Sequence, residues 1–390
     1  MLTIAFAFCI AGGASFAEPP EAGRARAPVV AQAPEETTAE RPPLAMRLEE
    51  FQARLRSLYE QESLGAAELR TQKDALAKEA VAAVRAAPVG QPAKAACLWV
   101  VQNLRESAAA SEAASILAKT YPLAAYEMAP QAAIQPCEWS GAFLRSLAEA
   151  NLPEKKRAGA ALCLAMHQQA LLALQDELKS PISSLRESVE RAHGDAFVTK
   201  LKGLDGDALA QETVERFEKL RAEQGDLKIG GASIEEHAER AIAAVQRLRL
   251  GMPAPETTGK DLEGEPLKLR DFEGKVVLLC FWASWCEPCV AEMRHERELI
   301  QRFPSGSFAL LGVSQDEDVD LARSTAREAG ATWKSFADTD QSLSKDWRVF
   351  SLPTYAVVDR DGLLQARGVS LEQAEAAVEH LLREAKSAER

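Results

Sequence analysis

The stretch Lys275-Val276-Val277-Leu278-Leu279-Cys280-Phe281-Trp282-Ala283-Ser284-Trp285-Cys286-Glu287-Pro288-Cys289 decides the fold of this chain. Seven apolar residues in a row, followed by small residues, predict a buried strand over 275–282. Pro288 suits the first turn of a helix, which the pattern extends over 287–303. Working outward, a second buried strand is predicted over 308–313 and a helix over 319–329. A short strand falls near 333–336 and a helical turn at 343–347. Strands over 354–358 and 363–367 flank Asp361-Gly362, a hairpin turn signal, and 371–386 closes as an amphipathic helix. This unit begins at Gly251-Met252-Pro253-Ala254-Pro255 and reads as an α/β sandwich of about 140 residues.

Two cysteines at a strand-to-helix junction carry the chemistry. The thiolate is the reactive form, and an ordinary thiol with a pKa near ~8.5 is mostly protonated at neutral pH. A helix opening at Cys286 surrounds its sulfur with unpaired N–H groups and the positive end of the dipole, which favours the thiolate. Cys289, one turn along the same face, can attack a mixed disulfide at Cys286 and release the reduced partner. Pro288 removes an N–H where no intrahelical acceptor exists, and Glu287 adds a negative charge that opposes the thiolate. The same spacing suits half of a zinc site. That would need a second Cys or His pair, and Cys280, His295 and His380 are not paired at ligand spacing. A purely structural disulfide over so short a loop would constrain little chain. Redox chemistry is the reading these residues support.

The segment 276–293, the preceding Pro253-Ala254-Pro255 and Phe272-Glu273-Gly274-Lys275, and the later Ser351-Leu352-Pro353-Thr354 together resemble the TlpA/ResA-like branch of the thioredoxin superfamily. These are secreted or membrane-tethered thiol-disulfide oxidoreductases, several of which reduce haem-site cysteines during cytochrome c maturation. The resemblance covers roughly 251–386 and says nothing about 44–250. It implies a thioredoxin-like fold, with a central sheet flanked by helices. It also implies that Cys286 attacks, that Cys289 resolves and that Pro353 is the cis-proline shaping the substrate groove. Glu292 matches an acidic residue close to the pair, which would raise a thiol pKa by like charge or relay a proton. A solvated helix glutamate is the other reading of Glu292.

Two departures stand out. Six residues before Cys286, where the superfamily carries a buried Asp or Asn, this chain has Cys280. A thiol cannot serve there as a carboxylate acceptor, so resolution by Cys289 would rest on Glu292 or on water. Cys280 itself reads as a packed core residue, with a third redox thiol as the alternative. Arg294-His295 stands where the family usually has a Pro, which would straighten the helix and leave His295 on the surface. Trp282 and Trp285 flank the turn as core and rim residues, and Trp285 offers a partner chain an apolar platform. The run Asp316-Glu317-Asp318 with Asp320 reads as acidic helix capping in preference to a calcium site.

The front of the chain has a different composition. Of 23 aromatic residues in 390, 11 lie in the last 140 positions. Residues 2–17 are uncharged and apolar or small, and Ser15-Phe16-Ala17 precedes Glu18-Pro19-Pro20. This predicts a signal peptide over 1–17, hence a periplasmic or cell-envelope protein, with an uncleaved membrane anchor as the rival. Six prolines in 18–43 predict an extended linker. From Leu44 the apolar spacing is helical: Leu44, Leu48, Phe51, Leu55 and Leu58, then Leu164, Leu171, Leu174 and Leu178, then Ile234, Ala238, Ala241, Val245 and Leu248. Residues 44–250 thus read as an all-α helical domain of six to eight helices without a fixed repeat. Cys97, Cys137 and Cys163 lie within it. In an exported protein two of them could pair, Cys97 with Cys137 most readily, and buried free thiols are the alternative.

Net charge is −12, and neither part is basic: 251–390 holds 25 acids against 17 bases. This argues against a general nucleic-acid binder. The resulting expectation is an exported thiol-disulfide oxidoreductase that acts on protein thiols and disulfides, without a bound cofactor or metal. A membrane or soluble thiol donor would recycle it, and the helical domain is free to bind another protein. Two alternatives stay open: a peroxiredoxin-type peroxidase, which would carry Thr where Ala283 stands, and a helical scaffold with an accessory redox domain.

Overall fold

The computed structural model describes residues 43–61, 64–180, 182–349 and 351–388. The expected signal peptide over 1–17 and nearly all of the 18–43 linker lie outside the described residues. Twelve helices occupy the described residues between 44 and 250, from α1 (Leu44–Glu60) to α12 (Ile234–Arg247), where the sequence predicts six to eight. Part of the excess comes from prolines, since the residue before a proline is pushed out of the helical region. Pro122 and Pro130 each sit in the first turn of a short helix of their own, α5 (Pro122–Tyr126) and α6 (Ala129–Ile134).

The first apolar stripe packs as the spacing predicts. Phe51 and Leu55 are buried, Leu44, Leu48 and Leu58 pack against the same cluster, and the Phe51 ring stacks on Trp99. All five residues of the α12 stripe are buried, and a capping box of Ser233 and Glu236 sets where that helix begins. The middle stripe divides. On α8 (Glu154–Lys179) Leu164 joins the cluster around Phe51, whereas Leu174 and Leu178 pack with Phe197. A helix surrounded by neighbours has no single apolar face, so its leucines serve different cores. Cys97, Cys137 and Cys163 are free, so the Cys97–Cys137 pairing does not form. Cys97 is turned into the helical core, while the Cys137 N–H is held by the Ser140 Oγ at the turn after Pro136. Burial pushes the Cys97 and Cys163 thiols up to about 12, which leaves both protonated and inert.

Two small hairpins escape the sequence reading: β1 (Lys228–Ile229) with β2 (Ala232–Ser233), and β3 (Thr258–Lys260) with β4 (Pro266–Lys268). Strands of two or three residues are too short to show alternation. The main sheet runs β7-β6-β5-β8-β9, comprising β5 (Val276–Trp282), β6 (Phe308–Ser314), β7 (Ser335–Ala337), β8 (Thr354–Val358) and β9 (Leu364–Val369). β6 lies parallel to β5 and β7 parallel to β6, while β8 is antiparallel to both β5 and β9. β7 lies slightly later than the predicted 333–336. Its Ser335 pairs with Gly312, where a Cβ would collide with the Ser335 Oγ, so a larger residue at 312 would hold the strands apart.

Every residue of β5 is buried, and its side chains alternate between two cores. Leu278, Cys280 and Trp282 face a cluster built by α13 (Glu287–Arg302), α14 (Val319–Glu328) and α16 (Leu371–Ala388). Val277, Leu279 and Phe281 face Leu267, Leu269 and Trp347. With the short α15 (Ser342–Asp346), this is a thioredoxin-like α/β fold preceded by a helical region.

The helical region reaches into that fold. Ile182, and Leu185 of α9 (Ser183–Ala192), belong to the same cluster as α16. Arg367 of β9 donates to the Leu248 carbonyl at 2.7 Å, next to Arg249, which pairs within the helical region with Asp176 of α8 at 3.0 Å. Truncating Leu185 to Ala should therefore destabilise the C-terminal part by about 2–5 kcal/mol, the range for emptying a buried leucine site. Urea unfolding followed by tryptophan fluorescence measures this, and an unchanged midpoint would contradict the packing.

Candidate active site

β5 delivers the chain to the site. After Trp282 a four-residue turn leads to Cys286, the N-cap of α13, whose sulfur accepts from the Cys289 N–H at 3.3 Å. Cys286 and Cys289 are joined by a disulfide. They are only 6% and 1% exposed, yet Trp285 beside them is 68% exposed, and Glu287 and Pro288 are also at the surface. Pro288 occupies the first turn of α13, as its lack of an N–H predicts. The peptide bond from Leu352 to Pro353 is cis. Thr354, the next residue, pairs with Phe281, so Pro353 lies at the same end of the sheet as the cysteine turn.

The acidic run divides between two roles. Asp318 caps α14 by accepting from the N–H groups of Asp320 and Leu321, as expected. Asp316 does something else. Its carboxylate accepts from the Ser284 N–H at 2.9 Å, the Ser284 hydroxyl at 2.6 Å and the Ser314 hydroxyl at 2.7 Å. This buried clamp ties the turn before Cys286 to the end of β6. Among the described residues no group of three or more His, Cys, Asp or Glu side chains is placed to hold a metal ion.

Behind the pair lies a buried polar chain. Glu292, one turn beyond Cys289 on α13, is half-buried and accepts from the Tyr355 hydroxyl at 2.5 Å. The same Tyr355 oxygen stands 2.7 Å from Oε1 of Glu296, which also accepts from the Cys280 thiol at 2.9 Å. Glu292 is thus engaged with protein groups and is not simply a solvated helix side chain. Glu296 is completely buried. Burial pushes its carboxyl up to about 6, against the pull of the hydrogen bonds from Cys280 and Tyr355. Burial, with the Glu296 carboxylate next, pushes the Cys280 thiol well above its usual range. Cys280 is therefore a packed, protonated hydrogen-bond donor. His295 is on the outer side of α13, paired with Glu375 at 3.0 Å, and the helix runs unbroken past Arg294.

Asp316, Glu296 and Tyr355 are the site residues that sequence reasoning missed. Glu296 left a signal: it shares a helix face with Cys289, Met293 and Leu299, all buried, where the period calls for an apolar residue. Tyr355 left none, since an aromatic in a strand ordinarily reads as core.

A thioredoxin-like sheet with a bonded Cys-x-x-Cys pair at its central strand-to-helix junction defines a class, the thiol-disulfide oxidoreductases. Similarity to known proteins agrees. The AhpC/TSA family matches residues 250–367. The thiol-disulfide oxidoreductase ResA of Bacillus thuringiensis subsp. konkukian is 30% identical over 117 residues, covering 30% of this chain and 68% of that protein. The thioredoxin-like protein YneN of Bacillus subtilis is 34% identical over 118 residues, again 30% of this chain and 68% of that protein. Among solved structures, the thioredoxin domain of a Bacteroides vulgatus thiol-disulfide oxidoreductase covers 34% of this chain and 96% of that one, at 27% identity and a TM-score of 0.32. Through its C-terminal part the chain belongs to the ResA family of thiol-disulfide oxidoreductases.

The raised carboxyl of Glu296 has a measurable sign. Its folded value of about 6 lies above the ordinary 4.5, so its contribution to stability is fully present below about pH 4.5 and is lost as pH rises through 6. The shift corresponds to about 2 kcal/mol. Glu296→Gln, which cannot ionise, should remove this loss. Urea unfolding of both proteins from pH 4 to pH 7 checks it, and parallel profiles would show that Glu296 does not titrate there.

Proposed function

We propose that this chain is an exported reductase of protein disulfides, acting through the Cys286-Glu287-Pro288-Cys289 pair. The observation that carries the reading is the position of the Cys286 sulfur at the N-cap of α13, bonded to Cys289 one turn on. There the free N–H groups and helix dipole stabilise a thiolate. In the reduced protein that thiolate attacks a substrate disulfide, one substrate sulfur leaves, and the other is held on Cys286. Cys289 then attacks Cys286, restoring the bond seen here and releasing the reduced substrate. Trp285 gives an apolar surface beside the sulfur, and Pro353 shapes the adjoining edge of the groove. Glu292 raises a thiol pKa by its charge or takes part in the proton movements of resolution, and Glu287 tempers the dipole.

The chemistry needs no bound cofactor, but a membrane or soluble thiol donor must return two electrons to the pair. Haem-site cysteines in cytochrome c maturation are the substrate class that the resemblance suggests. The N-terminal segment supports export, by cleavage over 1–17 or as an anchor, and no helix among the described residues is long and apolar enough to cross a membrane. The division into a linker over 18–43, a helical domain over 44–250 and a thioredoxin-like domain over 251–390 belongs to the same proposal. The helical part is the surface available for a further protein partner.

Cys286→Ser should abolish insulin-disulfide reduction, whereas Cys289→Ser should accumulate a covalent mixed disulfide visible on a non-reducing gel. Equal activity in both variants, or peroxide consumption with no thiol substrate, would overturn the assignment. The alkylation rate of Cys286 against pH tests the helix-dipole argument separately. Its midpoint should lie below the ~8.5 of a free thiol; a midpoint at or above that value removes the argument.

A further inference from the structure

We propose that Glu296 and Tyr355 store the proton that Cys289 gives up during resolution, with Glu292 as the entry to the store. The inference rests on the redox pair proposed above and adds positioning residues behind it.

The first support is a count of protons. Tyr355 has a single hydroxyl proton, yet its oxygen lies 2.5 Å from the Glu292 Oε2 and 2.7 Å from the Glu296 Oε1. One proton can lie along only one of these lines. Two oxygens at such a distance with no proton between them repel, so the arrangement calls for a second proton on one of the carboxyls. This is the structure of the disulfide form, in which Cys289 has already lost its own. The second support is burial. Glu296 has no solvent exposure, and its Oε2 has no hydrogen-bond partner among the described residues. A buried carboxylate without full hydrogen bonding is costly, and protonation removes that cost. The third is placement. Cys289, Glu292 and Glu296 fall at i, i+3 and i+7 on α13, so they follow one face of the helix inward.

The groups facing Glu296 agree with this role. Cys280 on β5 and Tyr355 on β8 sit opposite each other in register; the Cys280 thiol donates to Glu296, and the Tyr355 oxygen lies within hydrogen-bond reach of it. Glu292 and His295 act on it from its own helix. Glu292 favours the protonated state, His295 opposes it, and His295 is itself occupied by Glu375 of α16. Position 280 therefore carries a thiol that orients the acceptor, while the carboxyl comes from α13.

The step balances as follows. The Cys289 sulfur bonds to the Cys286 sulfur, and the substrate sulfur leaves with the bonding pair as a thiolate. The Cys289 proton passes to the Glu292 carboxylate. Glu292 returns a proton to the Tyr355 oxygen as Tyr355 gives its own to Glu296. Glu292 and Tyr355 end as they began, and Glu296 ends as the acid. When the donor reduces the pair, the proton returns along the same path. Only the proton uses this chain; both electrons travel with the sulfur exchange.

The test mixes the reduced full chain with one equivalent of an aromatic disulfide, which releases one coloured thiolate when Cys286 attacks and a second when Cys289 resolves. In Glu296→Gln and in Tyr355→Phe the first release should stay within about twofold of wild type, and the second should slow by at least about tenfold. The second rate should also climb with pH toward the range of a free thiol, a change that loosened packing alone does not produce. Tyr355→Phe keeps the ring and decides the matter if Glu296→Gln folds poorly. Recorded at about pH 6 or below, where Glu296 keeps its proton in the disulfide form, the oxidised-minus-reduced infrared difference spectrum should show a carboxylic-acid carbonyl band that Glu296→Gln removes. Wild-type rates and pH profile for the second release in both variants, or no acid band in the oxidised protein, would overturn the store. Failure of wild type to give the first release would instead overturn the redox pair, and the store with it.

Discussion

Strand β5 is buried at every position, and its register governs where α13 can begin. Side chains alternate across a strand, so a slip by one residue would exchange the two faces. Here that slip would turn Cys280 and Trp282 away from α13 and toward the core around Trp347. Apolar packing on both sides forbids it. The four residues after Trp282 then bring the chain to Cys286 at the point where the helix opens. Asp316 holds this arrangement from the side, because its carboxylate binds both the backbone and the hydroxyl of Ser284. The position of one sulfur relative to a helix dipole thus follows from the burial of an entire strand.

The same burial creates the polar chain beneath the site. A glutamate inside an apolar helix face is expensive unless it is paired or neutral. Glu296 is met by the Cys280 thiol and the Tyr355 hydroxyl, and its carboxyl is pushed toward the neutral form. Such a group is a poor contributor to stability and a good holder of protons. Its neighbours explain why a cysteine suffices at position 280: the residue there needs only to donate a hydrogen bond. The helical region bears on the fold from the other direction. Leu185 enters the core beneath α16, and Arg367 of β9 donates to the Leu248 carbonyl across the junction. This bracing gives the front of the chain a structural part in the redox fold, apart from any partner it binds.

Legibility differed sharply between the two parts of the molecule. In the C-terminal part the order of main-sheet strands and helices, and most of their boundaries, could be read directly. Long apolar runs and a clear switch to helical period leave little choice there. In the front part the α1 and α12 stripes were read correctly because each helix has one buried face. The α8 leucines were misread as one face, because that helix is enclosed and serves more than one core. Helix number was underestimated where prolines cut the chain into segments of five or six residues. The free Cys97 and Cys137 show the same limit, since spacing along the chain does not tell which way two thiols point.

By itself, the sequence determined the α/β unit and the cysteine pair at the helix start, while the thioredoxin-like identity and the proline before β8 came from a family resemblance. The first two are local: they depend on a hydrophobic run and a helix opening. Only the tertiary structure decided that Asp316 clamps the turn, that Cys280 donates to a carboxyl, and that Glu292, Tyr355 and Glu296 form one chain. Those groups lie on separate strands, on connecting segments and on a helix, at sequence separations of 16 to 63 residues. Hydrogen bonds of 2.5 to 2.9 Å act only between atoms that folding has brought together, and no pattern along the chain records which atoms those will be.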